Sequence, residues 1–321
     1  MIEQTTNPHD AEPEAPLNGR RAALAALLGG AMVTSMAKPA SAQVTTSPDT
    51  VPLQFALNIY YVTTNFVRVV TYGAKDGPLP AYLIRGGETL DQPGVPVTDG
   101  QGVKFATSEQ TIQWRIREMA DEFWWRTIML REVLRADAVA QTKIDLSAAS
   151  FTAMFRMAGA IGPNDSFDPW ASAANCLLAA ETLLTVQATY LAGLLPTLTN
   201  ESVMAQISSL SAGSANSATT IRYMIRELAV NRPELLTMVD RLAAWRDEID
   251  GSSVTDSGLS PIVAADGRTT SRMVVADGSG LYRTRTPQQA LNVFFMNRGA
   301  VTKGGFFPNG IKGGIVTSAA N

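Results

Sequence analysis

The sequence contains one histidine, His9, and one cysteine, Cys176. A single cysteine excludes an internal disulfide framework and any cysteine-rich metal site. Cys176 lies in an apolar run, where a thiol ordinarily behaves as a buried, inert hydrophobe. His9 falls in a stretch expected to be removed, which would leave the mature chain without an imidazole. That absence removes Ser-His-Asp, Cys-His and histidine-metal chemistry together. Charge is also scarce: 17% of residues are charged and the net charge is −3. With no Lys/Arg block, there is no footprint for nucleic acid. No Gly-x-Ser-x-Gly elbow occurs, and Gly304-Gly305 and Gly313-Gly314 lack the strand–turn–helix setting of a phosphate loop.

What is present suits an ordinary folded chain. With 321 residues, 45% of them hydrophobic, it can bury a real core as one large domain or two small ones. Residues 1–42 read as an export signal: a polar start, Gly19-Arg20-Arg21, the run AALAALLGGAMV, and Ala40-Ser41-Ala42 before Gln43. The paired arginines point to the twin-arginine route, with cleavage before Gln43. An ordinary secretory signal or an uncleaved anchor are the alternatives. The expected location is periplasmic or extracellular. No later stretch reads as long enough to span a bilayer, so no transmembrane helix is expected in the mature chain, which should be soluble.

The chain then reads as mainly α, with residues 43–250 a helical body and 251–321 a C-terminal extension packed on it. A first helix covers about 52–72, ended by Gly73. Residues 73–106 are a long Gly/Pro/Asp-rich connection with room for a short hairpin. The central helix spans 107–136, with Ile112, Ile116, Met119, Phe123, Leu130 and Val133 on one face. Thr107 or Ser108 is its expected cap, with Gln110 near the capping-box position. Further helices are expected at 146–160 (capped by Asp145), 171–195, 200–230 (capped by Thr199 or Asn200) and 233–249. The stretch SSLSAGSANSATT lacks large side chains, which would let a neighbouring helix backbone approach closely. After Gly251 the sequence predicts a β-hairpin near 272–285, a short helix opened by Pro287, and a Gly-rich tail.

Phe55-Ala56-Leu57-Asn58, Asp121-Glu122, Phe167-Asp168-Pro169-Trp170 and the end from Arg285-Thr286-Pro287 through Gly304-Gly305-Phe306-Phe307-Pro308-Asn309-Gly310 carry a resemblance. In this order and spacing, over about residues 51–312, they are similar to the bacterial and plant ferritin-like family that includes the desiccation-related proteins. The resemblance implies a ferritin-like four-helix bundle with long loops, whose active relatives hold two metals between carboxylates and histidines. Carried over residue by residue, the metal positions fall on Tyr60, Thr63 and Asn65 in the first helix and on Glu122 and Trp125 in the second. In the third the position is Leu184, with Glu181 on another face, and in the fourth they are Ser214 and Ser217. One carboxylate and no imidazole do not make a di-metal site. The resemblance therefore implies no metal, no cofactor and no catalytic residue.

The physics of such a replacement is coherent. Tyr60, Trp125 and Leu184 would fill the vacated interior with apolar volume, and the serines would bond back to helix carbonyls. Glu122 is expected to pair with Arg126, Arg115 or Arg222. Arg115, Arg117, Arg126, Arg131 and Arg135 alternate with Glu118, Glu122 and Glu132 as a salt-bridged or solvated face. Trp114, Trp124, Trp125, Trp170 and Trp245 could stack a sugar or flat cofactor, though tryptophans at helical spacing ordinarily serve core or interface. The leading expectation is an exported, non-catalytic structural or interaction module with a protein partner, or copies of itself, as its target. One alternative is a metal protein or oxidoreductase using Glu118, Asp121 and Glu122 from several subunits. The other is a periplasmic small-molecule binder with a pocket lined by Tyr60, Tyr61, Trp125 and Leu184.

Overall fold

Helix α1, Thr50–Asp76, is buried over nearly its whole length, so its apolar residues face neighbours on every side. Gly73 takes φ +74° and bends the chain out of the helix; a Cβ there would lie 3.0 Å from the Gln101 carbonyl. The computed structural model describes residues 47–87, 92–253 and 255–321, which belong to one compact unit. The expected export signal and its cleavage point before Gln43 lie outside the described residues.

The connection after α1 holds a short helix, α2, Ala81–Ile84, and among its described residues no hairpin. Instead it pairs across the molecule with residues 138–146. Gly87 N donates to Ala138 O (2.8 Å), Gly94 N to Gln141 O (2.8 Å) and Val97 N to Ile144 O (2.7 Å). Turn-rich composition signals a reversal, and only the distant partner decides whether it closes on itself.

Helix α3, Gln110–Leu134, follows a single 3-10 turn at Thr107–Glu109. Its cap is neither Thr107 nor Ser108: the Glu109 carboxylate accepts the Ala106 N–H at 2.9 Å. The buried stripe is as expected, except that Leu134 takes the buried place and Val133 is half-exposed. Helix α4, Ala148–Met157, is capped by Ser147, with Asp145 accepting the Ser147 N–H from two positions back. Helix α5, Ala173–Leu194, begins at Ser172, and α6, Glu201–Leu228, at Asn200. Buried Asp49 ties the entry of α1 to the start of α6 by accepting from Thr199 N, Thr199 Oγ1 and Asn200 N, each at 2.9 Å. Helix α7 spans Glu234–Asp250.

The two-stranded ladder lies earlier than the expected 272–285. It pairs β1, Ile262–Val263, with β2, Thr269–Thr270, antiparallel around the first Ala-Asp-Gly turn. The second such turn keeps only the single bridge Ala276–Tyr282. Helix α8, Pro287–Phe295, opens with a reciprocal cap between Thr286 and Gln289.

The molecule is mainly helical. Helix α1 packs against α3 and α5, and α6 against α5 and α3, while α7 and α8 close over α5. Contrary to the expectation that no later stretch could span a bilayer, Ala173–Thr197 is long and apolar enough, with mean hydropathy 1.3, but 89% of that window is buried inside the protein. A helix surrounded by other helices needs the same composition as one surrounded by lipid.

Candidate functional site

The positions carried over from the ferritin-like pattern do not all meet. On α1, Tyr60 is fully buried, shares a 2.7 Å hydrogen bond with Ser214 of α6, and lays its ring against Phe123 of α3. Burial pushes the Tyr60 phenol up from its ordinary pKa, and the charge of Arg126 pulls the other way. Ser217 donates to the Gly213 carbonyl at 3.0 Å and accepts from Arg126 Nη1 at 3.3 Å. Leu184 is buried core. Thr63 bonds back to the Ile59 carbonyl, one turn earlier on its own helix. Asn65 faces elsewhere: it donates to Gln141 Oε1 and accepts from Leu79 N, each at 2.8 Å.

On α3 the expected inward pair is displaced by one residue. Phe123 is buried, and Trp125, two residues on and so about 200° around the helix, is half-exposed and outside the core. Trp125 therefore does not fill the interior with Tyr60 and Leu184, as expected. The inward residues at i and i+3 are Phe123 and Arg126.

Arg126 holds Glu122 at 3.0 Å and stands 5.1 Å from the centre of the Phe123 ring. A Cβ on Gly213 would lie 2.8 Å from Arg126 Nη2. The small-residue stretch of α6 thus makes room for a guanidinium as well as lying close along α5. Arg115 pairs with both Glu122 (3.0 Å) and Glu118 (2.9 Å). Glu122, its side chain 27% exposed, so takes two of its three expected partners, Arg115 and Arg126.

The third, Arg222, belongs to a set of charges that sequence reasoning missed. Glu181 of α5 accepts from Arg222 of α6 and Arg246 of α7, each at 2.7 Å, with all three side chains fully buried. Arg246 continues to Asp256 at 2.5 Å, and Arg285 joins Asp256 (2.6 Å) to Asp250 (2.8 Å). Arg283 bonds Asp256 and, at 2.8 Å, Asp247. Four acids, Glu181, Asp247, Asp250 and Asp256, thereby face four arginines, 222, 246, 283 and 285, and the charges cancel. Arg222 also donates to the carbonyls of Ser257, Gly258, Arg272 and Met273, fastening the 255–273 segment to α6. Two signals were visible. Glu181 is the lone charged residue of α5, and Arg246 and Asp250 continue the buried stripe of Val239, Leu242 and Ile249.

A cleft of about 450 Å³ lies between α7 and the 255–272 segment, lined by Asp240, Asp247, Asp256, Pro261, Ile262 and Arg272 among others. None of Tyr60, Tyr61, Trp125 and Leu184 lines it. Tyr61 turns instead to the Val139 carbonyl and Arg131, away from the Tyr60–Ser214 contact, so the pocket expected from those four residues does not form. Nor do Glu118, Asp121 and Glu122 form a common donor set. Two of them are spent on Arg115, and Asp121 accepts from Tyr72. Among the described residues, no group of three or more His, Cys, Asp or Glu side chains converges as a metal site. A phenol, two hydroxyls, a leucine and an arginine-paired glutamate do not fit a di-metal centre.

The chain is 24% identical over 246 residues to the desiccation-related protein PCC13-62 of Craterostigma plantagineum, covering 74% of this chain and 75% of that protein. No protein-family model matches the chain. No solved structure gives a significant match.

Proposed function

We propose that this chain is an exported ferritin-like protein, a four-helix bundle of α1, α3, α5 and α6 without a di-metal site, and that it acts as a non-catalytic structural or interaction module in the periplasm or outside the cell. The ordered motifs and the likeness to a desiccation-related protein support the scaffold. One observation carries the functional reading: Arg126 stands between Glu122 and Ser217, beside Tyr60, where metal-bearing relatives would present ligands. Its fixed positive charge repels a cation at about 4 Å by about 4 kcal/mol per unit charge at an effective dielectric of about 20. Among the described residues, the carboxylate at hand is Glu122, already neutralised by Arg115 and Arg126.

The test is elemental analysis of protein purified from its exported fraction, combined with a thermal melt with and without a chelator. We expect iron, manganese and zinc far below one ion per chain, and a melting temperature that the chelator leaves unchanged. A stoichiometric transition metal would defeat the reading.

A further inference from the structure

Trp114 and Trp125 lie eleven residues apart on α3, close to three turns, and so fall on one line of the helix. That line faces away from the stripe of Ile116, Phe123 and Leu130 that packs on the core. Trp114 is 58% exposed, and neither tryptophan takes part in the core. Two tryptophans left on the outside of a helix mark an interface more often than a solvated surface.

The charges along the same face say which partner fits. Arg117 and Glu132 are both exposed, and among the described residues neither forms an ion pair. They are fifteen residues apart, about 22 Å along the helix, with Trp125 beside the midpoint, while Trp124 turns aside to pack on the core under Arg68 and Tyr82. An antiparallel second copy would bring each Arg117 to the other's Glu132, with Trp125 beside the symmetry axis. That is an isologous interface with an aromatic centre and a charged rim.

We propose that the outer face of α3 is a homodimer interface, with the twofold axis beside Trp125 and two symmetric Arg117–Glu132 pairs. The proposal names the partner for the interaction-module reading and rests on it. Bound metal in the assay above would sink that reading without touching this face; a monomer would sink the face and leave the reading of the interior standing.

The experiment is sedimentation velocity on the purified full chain across a dilution series, with circular dichroism confirming that each variant folds. We expect a concentration-dependent dimer and a monomer for Trp125→Glu, whose side chain lies outside the core. Arg117→Glu should weaken the dimer about tenfold, because the lost pair occurs twice. The double variant Arg117→Glu with Glu132→Arg should recover most of that loss, since the swapped charges again face opposites. A wild-type monomer at every concentration, a Trp125→Glu dimer as tight as wild type, or a double variant no tighter than Arg117→Glu alone would each overturn the proposal.

Discussion

Glu181 and Arg222 meet at 2.7 Å with both side chains at zero exposure, although 41 residues separate them in the chain. An ion pair taken wholly out of water survives only when each charge is matched and its hydrogen bonds are filled. Glu181 meets this by accepting from Arg246 as well, and Arg222 by donating to four backbone carbonyls.

Glu181→Ala should therefore cost about 3–5 kcal/mol, because it strands two buried guanidinium groups. Glu122→Ala, on the half-exposed ion pairs of α3, should cost about 1 kcal/mol or less. Urea denaturation of both variants compares them directly, and equal losses would contradict the difference drawn between the two acids.

Acid should loosen the fold through Asp256. Burial acts to raise its carboxyl, but Arg285, Arg246 and Arg283 outweigh burial and hold it far below the usual carboxylate range. The unfolded carboxyl titrates near about 3.9. Its contribution is thus complete above that pH and is lost as pH falls toward the depressed folded value. Asp247 runs the opposite way: burial foremost raises its carboxyl, so ionising it opposes folding as pH climbs through the raised value. Denaturation midpoints measured between about pH 2 and 7 should fall below about pH 4. Asp256→Asn should be weaker at neutral pH and show a flatter acid limb; a wild-type midpoint unchanged down to about pH 2 would contradict the assignment.

The register of α3 is open to a stability comparison. Phe123→Ala, at a fully buried ring, should cost about 3–5 kcal/mol. Trp125→Ala should cost far less, because that ring is half-exposed and outside the core. Thermal melts at a concentration where the protein is monomeric would show the order; a larger loss at Trp125 would restore the carried-over register.

The Tyr60–Ser214 hydrogen bond bridges α1 and α6 at the centre of the helices. A double-mutant cycle with Tyr60→Phe and Ser214→Ala should return a coupling of about 1 kcal/mol. A coupling near zero would mean that the two hydroxyls ignore each other in solution.

Much of the helical layout was legible because its signals are local. Thr286 and Gln289 cap α8 across three residues, Asn200 caps α6 from the adjoining position, and Gly73 breaks α1 where it stands. The stripe of α3 was readable, but a register error of one residue turns a helix by about 100°. That is the distance between Trp125 lining the interior and Trp125 lining the surface. On α5 the difficulty is different. Nearly every side is buried, so periodicity does not say which face Glu181 uses. The hairpin expected within 73–106 failed because composition marks a bend, while its pairing was settled by residues 138–146, far away in the chain; the one expected near 272–285 is reduced to the Ala276–Tyr282 bridge.

From its letters alone this chain was committed to helices with definite ends and to an interior without an internal disulfide, because capping, periodicity and composition act within a turn or two. Which charges meet inside was left to the packed molecule. Arg246 comes from α7 and Arg283 and Arg285 from the segment before α8, and desolvation makes each seek an acid only once the helices have closed around it. Arg126 obeys the same rule. Its place beside Tyr60 and over Gly213 exists only when α3 and α6 lie together.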